Sequence, residues 1–124
     1  MRTLLVAAVI ATVASVPRGH TTNGGPPDDR VRHRFASDAA VTVRTFQFAP
    51  DTLRVRAVTR VTWTNADEIE HSITSGTPDA RDNRFHGVVA TRGATYSAVL
   101  REPGTYRYFC DRHRFMSGTV IVSR

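Results

Sequence analysis

Three side chains with metal-binding atoms follow one another at intervals of three residues near the C-terminal end of the sequence. They are Cys110, His113 and Met116, which offer a thiolate, an imidazole and a thioether. A tight loop can turn all three toward one point, and His71, far upstream, adds a second imidazole. Two imidazoles and a thiolate with a weak thioether are the ligand set of a blue copper site. The spacing therefore predicts one copper ion that alternates between Cu(I) and Cu(II).

Each of these residues also has an ordinary structural explanation. A single cysteine or methionine is most often a buried apolar side chain, and a histidine is most often a surface group. Together the four residues fit one known type of site, and this favours copper over four unrelated explanations. His86 has no such pattern, so we expect a surface histidine, and we expect Trp63 and the tyrosines to lie in the core.

Length and composition are typical of one small exported domain. The chain has 124 residues, a net charge of +6 and a single cysteine, so it has no internal disulfide. We predict a signal peptide over 1–19, because Arg2 precedes an apolar run that is short for a membrane span. A retained membrane anchor is the alternative. Residues 20–37, rich in glycine, proline and charge, predict a flexible linker, which leaves 38–124 as the folded domain.

Residues 38–124 alternate between apolar and polar side chains with a period of two. The alternating pairs are Val41 and Val43, Phe46 and Phe48, Leu53 and Val55, and Val61 and Trp63. This pattern, with turn residues at short intervals, predicts an all-β sandwich or barrel. Ile69, His71 and Ile73 should share one face of a strand, and residues 75–83 should form an irregular polar stretch.

The ligand residues belong to a longer pattern that resembles the small cupredoxins, most closely the amicyanin and plastocyanin-like proteins. The resemblance covers nearly all of residues 40–124. Its motifs are Phe46-x-Phe48-x-Pro50, Val61-Thr62-Trp63-Thr64-Asn65 with His71-Ser72, Glu102-Pro103-Gly104-Thr105-Tyr106-x-Tyr108-x-Cys110, and Phe115-Met116 followed by Gly118-Thr119-Val120-Ile121-Val122.

The resemblance implies a Greek-key β-sandwich with copper near one end. The implied ligands are His71, Cys110, His113 and a distant axial Met116. Asn65 and Ser72 should tie the two ligand loops together, with the Ser72 N–H donating a hydrogen bond to the Cys110 sulfur. The implied activity is one-electron transfer between redox proteins, with electrons passing through a solvent-facing His113.

The sequence departs from the family pattern beside both histidines. Glu70 precedes His71 where proline is frequent, so we expect a less rigid loop there. Arg112 and Arg114 flank His113 where the family commonly has proline and an apolar surface. We therefore expect a cationic rim that attracts partners with acidic docking surfaces.

Other classes of function account for fewer of these features. A carrier that delivers Cu(I) to an oxidase could use the same four donors, and copper retention against a chelator would separate it from an electron carrier. A nucleic-acid-binding module is disfavoured, because the arginines are scattered and the chain is expected to be exported. An enzyme is disfavoured, because the ligated site has no open position for a substrate. We expect a periplasmic or secreted monomer without stable membrane insertion.

Overall fold

The computed structural model describes residues 37–124 of the chain. The predicted signal peptide at 1–19 and the linker at 20–37 lie outside the described residues, except for Ser37, which begins the first strand. The strands of the described part are β1 (Ser37–Arg44), β2 (Gln47–Ala49), β3 (Thr52–Arg56), β4 (Thr59–Asn65), β5 (His71–Thr77), β6 (Ala80–Val89), β7 (Thr95–Leu100), β8 (Gly104–Phe109) and β9 (Ser117–Ser123). Residues 37–124 contain no helix, and so no helix that could span a membrane.

The strands form two sheets that pack face to face. One sheet has the order β2-β1-β4-β7, and the other has the order β3-β9-β8-β5-β6. The pairs β1 with β4 and β3 with β9 are parallel, and the remaining pairs are antiparallel. The predicted all-β sandwich is confirmed.

The core lies between the two sheets and contains a group of aromatic rings. Residues of β4 alternate between buried and half-buried, and Trp63 is fully buried. Its ring lies 5.4 Å from that of Tyr108, 5.6 Å from Phe85 and 5.9 Å from Tyr96. Burial and the negative charge of Asp51 raise the pKa of Tyr108 to about 12, so this phenol stays neutral. Trp63 and Tyr108 are core residues, as predicted.

The polar stretch at 75–83 is a strand hairpin, so the prediction of irregular structure there is wrong. Ser75 is buried, and its hydroxyl accepts hydrogen bonds from the backbone N–H groups of Arg84 and Phe85 at 2.9 and 3.0 Å. A bulge between Thr74 and Gly76 shifts the register of β5 against β6. Buried polar side chains that bond to backbone therefore replace the apolar alternation on which the prediction relied.

Two further residues differ from the alternating pattern. Ile69 lies in the loop before β5 and is 40% exposed, so it does not share a strand face with His71. Phe46 lies in the turn between β1 and β2, where Thr45 and Phe46 have φ angles of 54° and 58°. The alternation predicted from Phe46 to Phe48 begins in a turn, and the alternation predicted from Ile69 to Ile73 begins in a loop.

We predict that Gly118→Ala destabilises the sandwich. A Cβ at this position would lie 2.3 Å from Cζ of Tyr108, whose ring is buried and packed against the rings of Phe48 and Trp63. Overpacking of this kind should lower the free energy of unfolding by about 1–3 kcal/mol, measured by urea denaturation. Ser117→Ala, at the exposed neighbouring position, is the control and should stay within about 0.5 kcal/mol of the wild type. Equal stability of the two variants would contradict the prediction.

Candidate metal centre

The topology brings the two histidines and the cysteine to one end of the sandwich. β5 begins at His71, and Cys110 directly follows the end of β8. These strands are antiparallel neighbours, so the start of one lies beside the end of the other. Ligand atoms of His71, Cys110 and His113 all lie within 4.8 Å of one another, with the first two residues buried and His113 half-buried.

Backbone hydrogen bonds close the loop that carries Cys110, His113 and Met116. The N–H of Cys110 donates to the carbonyl of Met116 at 3.1 Å, and the N–H of Met116 donates to the carbonyl of His113 at 2.8 Å. Nδ1 of His113 lies 3.7 Å from the Cys110 sulfur, and the Met116 side chain is buried. The spacing of three therefore corresponds to a compact loop with Met116 on its buried side.

Ser72 connects the histidine strand to the cysteine loop. Its backbone N–H lies 3.3 Å from the Cys110 sulfur, and its hydroxyl accepts a hydrogen bond from the N–H of Asp111 at 2.8 Å. Ser72 thus makes the contact that the resemblance implied for it.

Asn65 organises the histidine loop but does not reach the cysteine loop. Its amide donates to the carbonyls of Ile69 at 2.8 Å and Val89 at 2.9 Å, and its side-chain oxygen accepts from the N–H of Asp67. Of Asn65 and Ser72, only Ser72 links the histidine loop to the cysteine loop. Asn65 instead fixes the path of the chain that leads into His71.

Asp67 contacts His71 and the first turn, and no part of the sequence pattern singled it out. Its two carboxylate oxygens accept the N–H groups of Thr45 at 2.8 Å and Phe46 at 3.3 Å, and one of them lies 2.9 Å from Nε2 of His71. A carboxylate four residues before a ligand histidine was the available signal, because metal-bound histidines usually donate their second ring N–H to such a group.

The contact with Asp67 determines which nitrogen of His71 is available to a metal. Because Nε2 donates to the carboxylate, Nδ1 carries the lone pair in the neutral ring. This Nδ1 is buried and has no hydrogen-bond partner, which is costly for a polar atom. A metal ion bound by Nδ1, the adjacent thiolate and the second imidazole satisfies it, so these residues fit copper.

The same contacts lower the pKa of Asp67. Burial acts to raise it, but the N–H groups of Thr45 and Phe46 and the His71 ring outweigh burial, and the net pKa lies below 3.8. Asp67 is therefore ionised at neutral pH and stabilises both the turn and the ring.

Acidic neighbours offset the positive charge predicted around His113. Arg112 forms an ion pair with Glu70, and Arg114 donates to the carbonyl of Pro78 at 2.8 Å and lies 3.4 Å from Asp79. Glu70 and Arg112 each directly precede one of the two histidines, so their ion pair also links the two loops.

Aromatic side chains occupy the surface beside the second histidine. Phe115 is 75% exposed and Phe46 is 40% exposed. Their ring centroids lie 6.2 and 4.9 Å from that of His113. The solvent-facing end of the molecule is thus apolar at its centre, with paired charges around it.

His86 is half-exposed and belongs to a polar network beside Cys110, although the sequence indicated no role for it. Thr74 donates its hydroxyl hydrogen to Asp111 at 2.8 Å, so Nδ1 of His86, 2.9 Å from the same hydroxyl, donates to Thr74. Arg81 also contacts Asp111, at 2.5 Å. This network lies outside the ligand group.

Comparisons with known proteins agree with this fold and this site. Residues 36–123 match the copper binding proteins of the plastocyanin/azurin family. Amicyanin-alpha of Methylorubrum extorquens is 30% identical over 94 residues, 76% of this chain and 79% of that protein. A purple cupredoxin from Nitrosopumilus maritimus has a TM-score of 0.63 at 28% identity and covers 69% of this chain and 100% of its own. The structure of a Cu(I) form of an amicyanin variant has a TM-score of 0.62 at 26% identity. The match covers 69% of this chain and 82% of the amicyanin chain.

A two-sheet sandwich that gathers two imidazoles and a thiolate at one end is a small cupredoxin. The predicted resemblance is confirmed. The chain belongs to the plastocyanin/azurin family of copper-binding proteins, and its cofactor is copper.

We predict that Asp67→Asn destabilises the metal-free protein in a pH-dependent manner. The folded-state pKa of Asp67 is below its unfolded value, so its stabilising contribution is full above about pH 4 and is lost as the pH falls through the folded pKa. At pH 6 the variant should be less stable by about 1–3 kcal/mol in urea denaturation, and the difference should shrink toward pH 3. Asp38→Asn, at an exposed acid, is the control. A difference between Asp67→Asn and wild type that is constant from pH 6 to pH 3 would contradict the assignment.

Proposed function

We propose that this protein carries single electrons between redox proteins through a type 1, or blue, copper site. The supporting observation is the buried, unpartnered Nδ1 of His71 beside the Cys110 thiolate and the His113 imidazole. We assign these three residues as copper ligands and Met116 as the weak fourth ligand. Copper bound there supplies a one-electron couple between Cu(I) and Cu(II).

The chain contributes a rigid arrangement of donors. Asp67 fixes the His71 ring, Ser72 contacts the Cys110 sulfur, and backbone hydrogen bonds close the loop that carries His113. Ligands held in this way need to move little when the charge of the site changes, which favours fast electron transfer. No bond is made or broken, so we propose no enzymatic role.

The half-buried His113 is the proposed route for electrons. It reaches the surface between Phe46 and Phe115, whereas His71 and Cys110 are buried. A partner that covers these aromatic rings would bring its own redox centre close to the imidazole. Arg112 and Arg114, both exposed by more than 60%, flank this face and should favour acidic partners, although their ion pairs offset part of the charge.

We further propose that the protein acts outside the cytoplasm. The basis is the sequence pattern of 1–19, which is typical of a signal peptide, and of 20–37, which is typical of a linker. Cell fractionation followed by N-terminal sequencing of the mature protein tests this assignment. Recovery in the cytoplasm with residues 1–19 intact would contradict it.

Redox cycling in the presence of a Cu(I) chelator tests the proposed function. The wild type should bind one copper ion, lose its colour with ascorbate, recover it with ferricyanide and retain its copper over repeated cycles. His113→Gln should retain less copper, because it removes a ligand. His86→Gln is a matched control, since it also changes a partly exposed histidine beside the cysteine loop, and it should behave as the wild type does.

One result would contradict electron transfer as the function, and a second would contradict the proposed ligand set. Transfer of Cu(I) to the chelator within one cycle would instead support a copper carrier that uses the same donors. Equal copper loss from His113→Gln and His86→Gln would contradict the assignment of His113 as a ligand.

A further inference from the structure

The turn between β1 and β2 has an unfavourable backbone conformation for its sequence. Thr45 and Phe46, with φ of 54° and 58°, are the two central residues of a hairpin that pairs Arg44 with Gln47. Turns with positive φ at both positions usually contain asparagine, aspartate or glycine, because other side chains are disfavoured there. Thr45 is β-branched and is among the least suitable residues for it. Strain of this kind persists only where surrounding contacts enforce it, and it is often found at functional sites.

Asp67 supplies the contact that enforces this conformation. Its carboxylate accepts the backbone N–H groups of both turn residues, and the neighbouring Ala66 N–H donates to the carbonyl of Val43 at 2.8 Å. The parallel pairing of β1 with β4, which sets Val43 opposite Asn65, brings the turn beside residues 66 and 67. The turn is therefore held by the same loop that leads into His71.

The consequence of the turn is the position of one aromatic ring. The Phe46 ring meets His113 edge-on at 4.9 Å between centroids, with an interplanar angle of 87°, and it lies 5.8 Å from His71 at 86°. Asparagine or glycine would suit the backbone better but would place no ring there. The side chain points toward the imidazoles instead of the core, and 40% of its surface is exposed.

The two histidines differ in how their rings are held. His71 is buried, and its Nε2 is bonded to Asp67. Within the described residues, the only polar contact of the His113 ring is between Nδ1 and the Cys110 sulfur. Three rings lie around this half-buried imidazole, at centroid distances of 4.9 Å for Phe46, 5.0 Å for His71 and 6.2 Å for Phe115. Phe46 is the nearest and Phe115 the most distant, so we expect the contact with Phe46 to orient the ring and the contact with Phe115 to contribute little.

We propose that Phe46 is the positioning residue of His113. The strained turn, held by Asp67, sets the Phe46 ring against the imidazole and keeps Nδ1 directed toward Cys110. This inference rests on the proposed function in so far as His113 is a copper ligand. The orientation of the ring in the metal-free protein does not depend on that assignment.

Two measurements on three variants test the proposal. Phe46→Leu keeps an apolar side chain with a Cβ at the same positive φ but removes the ring, whereas Phe46→Tyr keeps the ring. Phe115→Leu is the matched control, because it removes a more exposed ring from the same surface at a longer distance from His113. The measurements are the side-chain NMR relaxation of His113 in the metal-free protein and the rate of Cu(I) transfer to a chelator.

We expect Phe46→Leu to increase the motion of the His113 ring and to accelerate Cu(I) transfer about 2- to 10-fold, the range for loss of one edge-to-face contact. Phe46→Tyr and Phe115→Leu should match the wild type in both measurements. An unchanged His113 ring in Phe46→Leu would overturn the proposal, as would an equal effect of Phe115→Leu. If the wild type binds no copper, the proposed function fails, and the relaxation measurement still decides the role of Phe46. If Phe46→Leu does not fold, the comparison is made with Phe46→Met, with the same expectations.

Discussion

One carboxylate connects the turn between β1 and β2 to the histidine at the start of β5, at the end of the sandwich proposed to hold copper. Asp67 accepts hydrogen bonds from the turn at Thr45 and Phe46 and from the ring of His71. Without Asp67, the N–H groups of the two turn residues with left-handed backbone conformation would lose their acceptor. The His71 ring would lose the contact that fixes its tautomer. With Nε2 bonded to Asp67, the lone pair of the neutral His71 ring is on the buried Nδ1. Asp67 therefore couples the backbone conformation of the turn to the tautomer of the His71 ring.

Sheet topology explains why segments that are far apart in the sequence lie side by side at this end of the sandwich. The antiparallel pair β5 and β8 places His71 beside Cys110, and the parallel pair β1 and β4 places the first turn beside Asp67. The packed aromatic core between the sheets fixes these strand ends relative to one another. His71, Cys110 and His113 thus lie at one end of a packed body, where the half-buried His113 reaches solvent while Cys110 stays buried.

Most strands and the loop that carries Cys110, His113 and Met116 were predicted from the sequence because both depend on local spacing. The interval of three from Cys110 to Met116 and the alternation along β4 are visible in the residues themselves. The hairpin at 75–83 was not predicted, because Ser75 bonds to backbone where the pattern required an apolar side chain. The roles of Asp67 and Phe46, and the ion pair of Arg112 with Glu70, depend on contacts between strands that residue types alone do not reveal.

Optical absorption together with EPR of the oxidised copper protein would decide whether Cys110 binds copper as a thiolate in a type 1 site. The wild type should show an intense blue charge-transfer band and a narrow copper hyperfine splitting. Both should be lost in Cys110→Ser, whose circular dichroism should remain that of a folded β protein. A weak absorption band with a wide hyperfine splitting in the wild type, or a spectrum unchanged by Cys110→Ser, would contradict the account.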